Sequence, residues 1–258
     1  MEYDQHVHTY FSFDSTAQFE DYLAQTAAPF ITTEHLELAN PDDGGRDDEP
    51  DQAAYSAKLT ALKRRYANRF LRGIECGDYA PRRADLARYL AAQPFDLVLL
   101  SFHHDGHHDF QDPIFRRREP KAHVQAYFER MLTGLEQTTY GDVLAHFDYG
   151  LRVLDVTPAQ LEAWAKPCLQ AIFGQVVRRG MALEVNTKSM DRWQDAELYE
   201  LVLPWYRAAG GELITLGSDS HTAEKLQSGF AAAKQMLRRT GFTKVAFYEQ
   251  HRPQLVRF

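Results

Sequence analysis

Cysteine is scarce in this chain: Cys76 and Cys168 stand far apart and no CxxC pair occurs. That argues against a zinc ribbon or a thioredoxin-type site and fits a reducing, cytoplasmic setting. Basic charge is also short, with 29 Lys and Arg against 36 Asp and Glu and a formal net charge of −7. A protein that tracks a long nucleic-acid backbone needs a basic stripe, so nucleic acid is not an expected partner. A small phosphorylated substrate held by a few arginines remains open. No apolar run approaches the length of a membrane span, and the opening "MEYDQHVHTY" has no basic segment followed by an apolar one. Neither a membrane partner nor a secretory signal is therefore expected. Short-period repeats and low-complexity tracts are missing too. At 258 residues the chain suits one large domain, an α/β barrel included, and residues 1–258 are read as a single domain.

What the chain does have is a rhythm of short β-rich runs and longer helix-like segments, the pattern of βα units around a parallel sheet. The expected strands are "EYDQHVH", "PFITTEH", "FLRGIEC", "DLVLLSFHH", "DVLAHFD", "MALEVNT" and "ELITLGSDSH". Helices are expected over "TAQFEDYLAQTA", "DQAAYSAKLTALKRRYANR", "KAHVQAYFERMLTGLEQTT", "TPAQLEAWAKPCLQAIFGQVVRRG" and "DAELYELVLPWYRAAGG". In the fourth of these, Pro158 suits a first turn and Pro167 predicts a kink or a break.

The C-terminal ends of the strands carry the signal. His6 and His8 are two residues apart and share a face if extended. The next strands end in His35, in Glu75, and in His103 with His104. The fifth carries His146 and Asp148, the sixth ends in Asn186 and Thr187, and the seventh carries Asp219 and His221. In a parallel barrel such ends converge on one face, where active sites are built. Histidine with carboxylate and no thiolate suits zinc, iron or manganese. So many ligands would over-supply one ion. Two or three divalent transition metal ions are expected, with a carboxylate such as Glu75 bridging and able to serve phosphoryl chemistry.

The ordered set "HVH" with Asp14, "TEH", "GIE", "SFH", "AHFD" and "GSDSH" resembles the polymerase and histidinol phosphatase (PHP) superfamily over nearly the whole chain. The resemblance implies a distorted (β/α)7 TIM-like barrel with a trinuclear metal centre at the C-terminal ends of the strands. It also implies the ligand sets. His6, His8, Glu75 and Asp219 would surround one metal, Glu75, His103 and His146 a second, and Asp14, His35 and His221 a third. Asp14 stands where some members have histidine. Within the superfamily the chain most resembles the histidinol-phosphate phosphatases, through "SFHHDGHHDFQDP", "HFDYGLRVL" and "LEVNT". Arg152 would then meet the substrate phosphate. The family usually continues after its "NT" with a small residue, glycine and arginine. Here the run is "NTKSMDRW", so Lys188 or Arg192 would take that arginine's place.

The function this implies is a phosphoric monoester hydrolase acting on L-histidinol phosphate, in histidine biosynthesis. Asp219, Glu75 and His221 would be its catalytic residues. A phosphoesterase for another small phosphate ester or nucleotide is the alternative. His104 and Asp148 read as supports of the ligands, and His107 and His108 as loop residues near the mouth. His251 and Cys76 read as bland. The acidic run 40–52 reads as a solvated loop, although a carboxylate there could meet a substrate ammonium. The basic run 115–120 reads as a phosphate-steering patch or a plain surface loop.

Overall fold

The computed structural model describes residues 3–258. One sheet holds β1 (Phe30–Asn40), β2 (Arg46–Asp48), β3 (Phe70–Gly77), β4 (Leu97–Ser101), β5 (Val143–Leu144), β6 (Ala182–Asn186) and β7 (Ile214–Gly217). Their order is β2-β1-β3-β4-β5-β6-β7. Every pairing from β1 through β7 is parallel, and β2 alone runs antiparallel, on the outer edge of β1. Around them lie α1 (Phe19–Leu23), α2 (Gln52–Arg65), α3 (Arg83–Ala91), α4 (Pro120–Gln137), α5 (Pro158–Arg178), α6 (Thr187–Arg192), α7 (Ala196–Ala208) and α8 (Phe230–Arg239). A hairpin of β8 (Lys244–Glu249) and β9 (Arg252–Arg257) ends the chain.

The expected first strand is not a regular strand. Glu2, where it was to begin, lies outside the described residues, and residues 4–8 make only an isolated parallel bridge, Val7 to Ser220. They still occupy the seventh place of the barrel. On one side the Thr33 amide donates to the Val7 carbonyl at 2.8 Å. On the other, Gln5 donates to Leu216 (3.2 Å), His8 to Ser220 (2.8 Å), and Ser220 to His6 (3.3 Å). Regular pairing fails because a side chain takes over: the Asp4 carboxylate accepts the Ser218 and Gln227 amides at 3.0 and 2.9 Å. The barrel is thus six parallel strands closed by this segment.

Side chains facing the barrel interior change character along each strand. Ile31, Leu71, Leu97, Leu99, Val143 and Ala182 form an apolar floor, plugged from below by Ala246, Phe247 and Tyr248 of β8. Two to four residues further along the same faces come His35, Glu75, Ser101 and Glu184, all on the C-terminal side. The period-2 alternation of a strand sends each of these to the same face as the floor residue before it. Outside the barrel, the largest apolar layer joins α4, α5, α7 and α8 to β4–β7 through residues such as Phe128, Phe173, Val202 and Leu216.

Several expectations need correcting. Helix α5 runs unbroken through Pro167, held at its start by a Thr157–Gln160 capping box with Pro158 in the first turn. The first expected helix shrinks to Phe19–Leu23. The acidic run 40–52 is not just a solvated loop: it contains a turn capped by Asn40, and then β2, which pairs with β1. The basic run 115–120 hangs from Phe115, which is fully buried, with Arg118 stacked on its ring at 4.4 Å. Elements α3, α8, β2 and the β8–β9 hairpin are present beyond the expected ones, although α8 carries Phe230, Ala233, Met236 and Leu237 on one buried face at helical spacing. Among the described residues no helix is long and apolar enough to cross a membrane.

The closure of the barrel yields a test. Buried Gln5 accepts the Tyr248 amide at 2.9 Å and donates to the Ala246 carbonyl, tying the first segment to β8. Gln5→Leu leaves both backbone groups buried without a partner, at about 1–3 kcal/mol each. Unfolding in urea should show a loss of about 2–4 kcal/mol. A loss below about 0.5 kcal/mol would mean that water or a shifted hairpin satisfies these groups.

Candidate metal centre

Glu75 projects from β3 into the barrel and is buried. Its Oε2 faces His6 Nε2 at 3.1 Å, His8 Nε2 at 3.3 Å and His35 Nδ1 at 3.2 Å. Its Oε1 faces His103 Nε2 at 3.1 Å and His146 Nε2 at 2.6 Å, and accepts the Ser101 hydroxyl at 2.9 Å. Asp219 lies beyond His6 and His8, at 4.0 and 3.8 Å from their Nε2 atoms. Asp14 closes the outer side, 2.9 Å from His221 Nε2 and 3.5 Å from His35 Nε2. All nine residues expected as ligands are therefore gathered in one place. Burial falls from the fully buried His6 and His8 outward to His221 and the half-exposed Asp14.

The outer nitrogens of three imidazoles are held from behind. His6 Nδ1 meets Glu184 Oε1 at 2.7 Å, His103 Nδ1 meets Glu37, and His8 Nδ1 meets the Ser12 hydroxyl at 3.1 Å. This arrangement turns the free nitrogen inward and raises its basicity, as metal-bound histidines require. Glu184 also accepts the His146 amide at 2.8 Å. Sequence reasoning missed Glu184 and Glu37. A signal was present, since Glu184 shares a strand face with Asn186 and Glu37 shares one with His35. Both acids need space that only glycine leaves. A Cβ on Gly77 would come within 2.1 Å of Glu37, and one on Gly217 within 2.1 Å of Glu184 and 2.5 Å of His6. Asp219 follows with φ of 50°, a left-handed conformation that costs a non-glycine residue energy and often marks a functional site.

Do these residues fit metal ions? His8 Nε2 and His35 Nδ1 are buried, aimed at the centre and without a hydrogen-bond partner. Unpartnered buried imidazole nitrogens are costly, and a cation at the centre removes the cost. Among the described residues four groups fall within reach of single ions: His6, His8 and Glu75; His35, Glu75 and His103; His8, His35 and His221; and His6, His146 and Glu184. The residues fit. Without metal, protons do part of the neutralising. Burial opposes charge on His6, but Glu75, Glu184 and Asp219 outweigh it and hold its pKa well above the usual value. His103 is likewise raised against burial by Glu37 and Glu75. Burial pushes His8 well down, helped by His35 and His221. Glu75 and Asp219 overcome burial through their cationic neighbours and stay well below the carboxylate range.

A two-lobed cleft opens above the centre, its lobes joined at Asp14 and Gln111. One lobe, about 500 Å³, is acidic and aromatic, with Phe13, Glu37, Asp42, Asp109, Asp112 and Tyr149. The other, about 600 Å³, is of mixed charge, with Lys188, Arg192 and Lys225 beside Asp191 and Asp219, and Trp193 on its wall. Lys188 reaches Asp219 at 2.9 Å and His221 at 3.3 Å. Arg152 is buried beside it, with its Nη2 3.6 Å from Asp219. Arg192 stays on the rim, stacked on Trp193 at 4.8 Å, so Lys188 rather than Arg192 stands at the centre. His104 is buried, its Nε2 3.6 Å from Glu37, and supports that acid. Asp148 is buried and accepts the Tyr199 hydroxyl. His107 and His108 lie on the loop after β4, and His251 pairs with Asp142 at 2.9 Å, away from the centre.

Known proteins share this layout. The model of the PHP domain family matches residues 4–188. A protein of Clostridium acetobutylicum named "Probable histidinol-phosphatase" is 27% identical over 96% of this chain and 97% of its own length. A "Histidinol-phosphatase" of Lactococcus lactis subsp. lactis is 24% identical, covering 95% of this chain and 93% of that one. The fold matches a crystal structure of the histidinol phosphate phosphatase of the same species, complexed with zinc, L-histidinol and phosphate. The TM-score is 0.87 at 22% identity, over 97% of this chain and 98% of that one.

Protein purified without chelator should hold more than one transition metal ion per chain by elemental analysis. Glu75→Gln should lose metal and activity together, because the cations it separates would then repel at short range. Full metal content in that variant would remove Glu75 from the ligand set. Because His6 and His103 carry raised pKa values in the metal-free protein, zinc uptake should release protons, and affinity should fall as pH drops. Uptake without acidification of a weakly buffered solution would contradict this.

Proposed function

The chain belongs to the PHP domain family, and on that premise we propose that it is a metal-dependent phosphatase hydrolysing L-histidinol phosphate to histidinol and phosphate. One observation carries the substrate: an acidic lobe and a lobe of mixed charge, where Lys188, Arg192 and Lys225 stand beside Asp14, Asp191 and Asp219, meet beside the Glu75 centre. A phosphate ester with a cationic amine and an imidazole has the matching polarity. The relatives named above carry this activity in their names.

Two to three ions of the zinc, manganese or iron kind would be held by His6, His8 and Asp219, by His103 and His146, and by Asp14, His35 and His221, with Glu75 shared. Bound there, they supply Lewis acidity that activates a water and draws charge from the phosphate oxygens. The chain's own groups do the rest. Arg152, held by Ser189 through Nε and Nη2, offers the Nη1 end of its guanidinium to the phosphate, and Lys188 adds a point charge. Both are in place before reaction, so they stabilise charge as it redistributes on the phosphoryl group without reorganising. Asp219 is kept ionised by Lys188, His6, His221 and Arg152, and so orients these groups in the resting state. Asp219, ionised at rest and held in place by Lys188, which bonds Asp219 and His221, takes the proton that the attacking water gives up and passes it to the leaving alkoxide. In the acidic lobe, Asp42 and Asp109 face the amine and Phe13 offers a ring for the imidazole to stack on.

A different small phosphate ester remains the second reading, because the basic run after Asn186 is "TKSMDRW" rather than the family's usual one. Phosphate release from L-histidinol phosphate, measured against a panel of sugar, amino-alcohol and nucleotide phosphates, tests the choice. L-histidinol phosphate should give the highest kcat/KM, and a better substrate without a cationic group would overturn the reading. Arg152→Ala should lower kcat/KM by roughly 10²-fold or more at unchanged metal content, as loss of a preorganised charge does. Arg152→Lys should recover only part of that, because an ammonium cannot bond Ser189 along one edge and still reach the phosphate from the other.

A further inference from the structure

Arg152 is held on every side but one. Its guanidinium carbon lies 4.3 Å over the Trp193 ring and 4.7 Å over the Tyr149 ring. The Ser189 hydroxyl accepts from Nε at 3.2 Å and from Nη2 at 2.8 Å. The Asn186 side-chain oxygen accepts from Nη2 at 3.5 Å, and the carboxylates of Asp148 and Asp219 stand 3.8 and 3.6 Å from Nε and Nη2. Nη1 takes part in none of these contacts. Two rings lie against the guanidinium and one edge is bonded, so the buried group is restrained in its plane.

Trp193 is itself fixed by the residue that grips Arg152. It ends α6, and its amide donates to the Ser189 carbonyl at 3.2 Å. The Asp195 amide donates to the same carbonyl at 3.2 Å, across Gln194 with φ of 62°. Ser189 therefore binds the edge of the guanidinium through its hydroxyl and the turn that carries the covering indole through its carbonyl. Trp193 also lines the lobe of mixed charge.

We propose that Trp193 is a positioning residue: its indole face holds the Arg152 guanidinium in the plane in which it meets the substrate phosphate. This rests on the phosphate role of Arg152 given above. A face-on cation–π contact in a partly desolvated site, together with the loss of planar restraint, makes the effect of removal roughly tenfold.

The test is a double-mutant cycle on metal-loaded protein, with L-histidinol phosphate as substrate, inorganic phosphate as inhibitor and metal content measured on each sample. Trp193→Leu should lower kcat/KM about tenfold and weaken phosphate inhibition in parallel, at unchanged metal content. Trp193→Phe, which keeps a ring, should recover most of the loss. In an Arg152→Ala background, Trp193→Leu should add nothing, because the group it positions is gone. Equal losses in both backgrounds, or no loss in Trp193→Leu, would overturn the proposal. Near-wild-type Arg152→Ala would instead overturn the phosphate role on which it rests. Should the leucine variant not fold, fluorescence decides. Inorganic phosphate should change the indole emission of the unmodified protein, and also of Trp164→Phe and Trp205→Phe, but not of Trp193→Phe. A change that survives in Trp193→Phe sinks the idea.

Discussion

Five imidazole nitrogens converge on the two oxygens of a single buried carboxylate, Glu75, at 2.6–3.3 Å. Neither party could be buried alone. A dry carboxylate without cations is costly, and so is a cluster of imidazoles that repel when protonated and lack donors when not. Together they form a cage whose remaining deficit is positive charge, visible in the unpartnered nitrogens of His8 and His35. The position of Glu75 is thus a constraint on its whole surroundings. Strand β3, between β1 and β4, points this side chain into the barrel interior, where it reaches imidazoles from both sides.

The barrel meets that constraint through register and small residues. Parallel pairing sets His35 beside Glu75 and Glu75 beside Leu99, so Ser101 lies one step above and hydrogen-bonds to the same carboxylate. Gly77 and Gly217 give up their side chains so that Glu37 and Glu184 can stand behind His103 and His6. Residues 4–8 belong to the same arrangement. Both His6 and His8 face Glu75, as residues two apart in an extended segment do, while Asp4 and Gln5 anchor the segment to its neighbours.

The convergence of His6, His8, His35, Glu75, His103, His146, Asp219 and His221 was legible because strand ends in a parallel barrel must meet, whereas Asp14, in a turn, was reached only through the family resemblance. The carboxylates behind the imidazoles were not legible, because Glu37 and Glu184 look like ordinary strand acids unless alternation is followed past the ligand itself. The β8–β9 hairpin was missed for another reason. Strand β9 is mostly exposed and lacks a clean alternation, and the role of β8 is to plug the barrel floor, a tertiary demand that no local pattern announces. The break expected at Pro167 failed to appear because tertiary packing of α5 against α4 and α7 outweighs one lost backbone bond.

Charge then sorts the cleft. Glu37 stands behind His103 and His104, and Asp109 accepts the Tyr149 hydroxyl, so part of the acidic lobe's charge comes from carboxylates that hold the imidazoles. On the far side, Asp219 draws in Lys188 and Arg152, and Ser189, Tyr149 and Trp193 fix the arginine. The same demand for neutralisation therefore contributes to both lobes: acids gather behind the imidazoles on one side, and bases gather against Asp219 on the other. A substrate with one anionic and one cationic end finds its orientation set before any contact is made, because the field across the cleft follows from how the centre is held together.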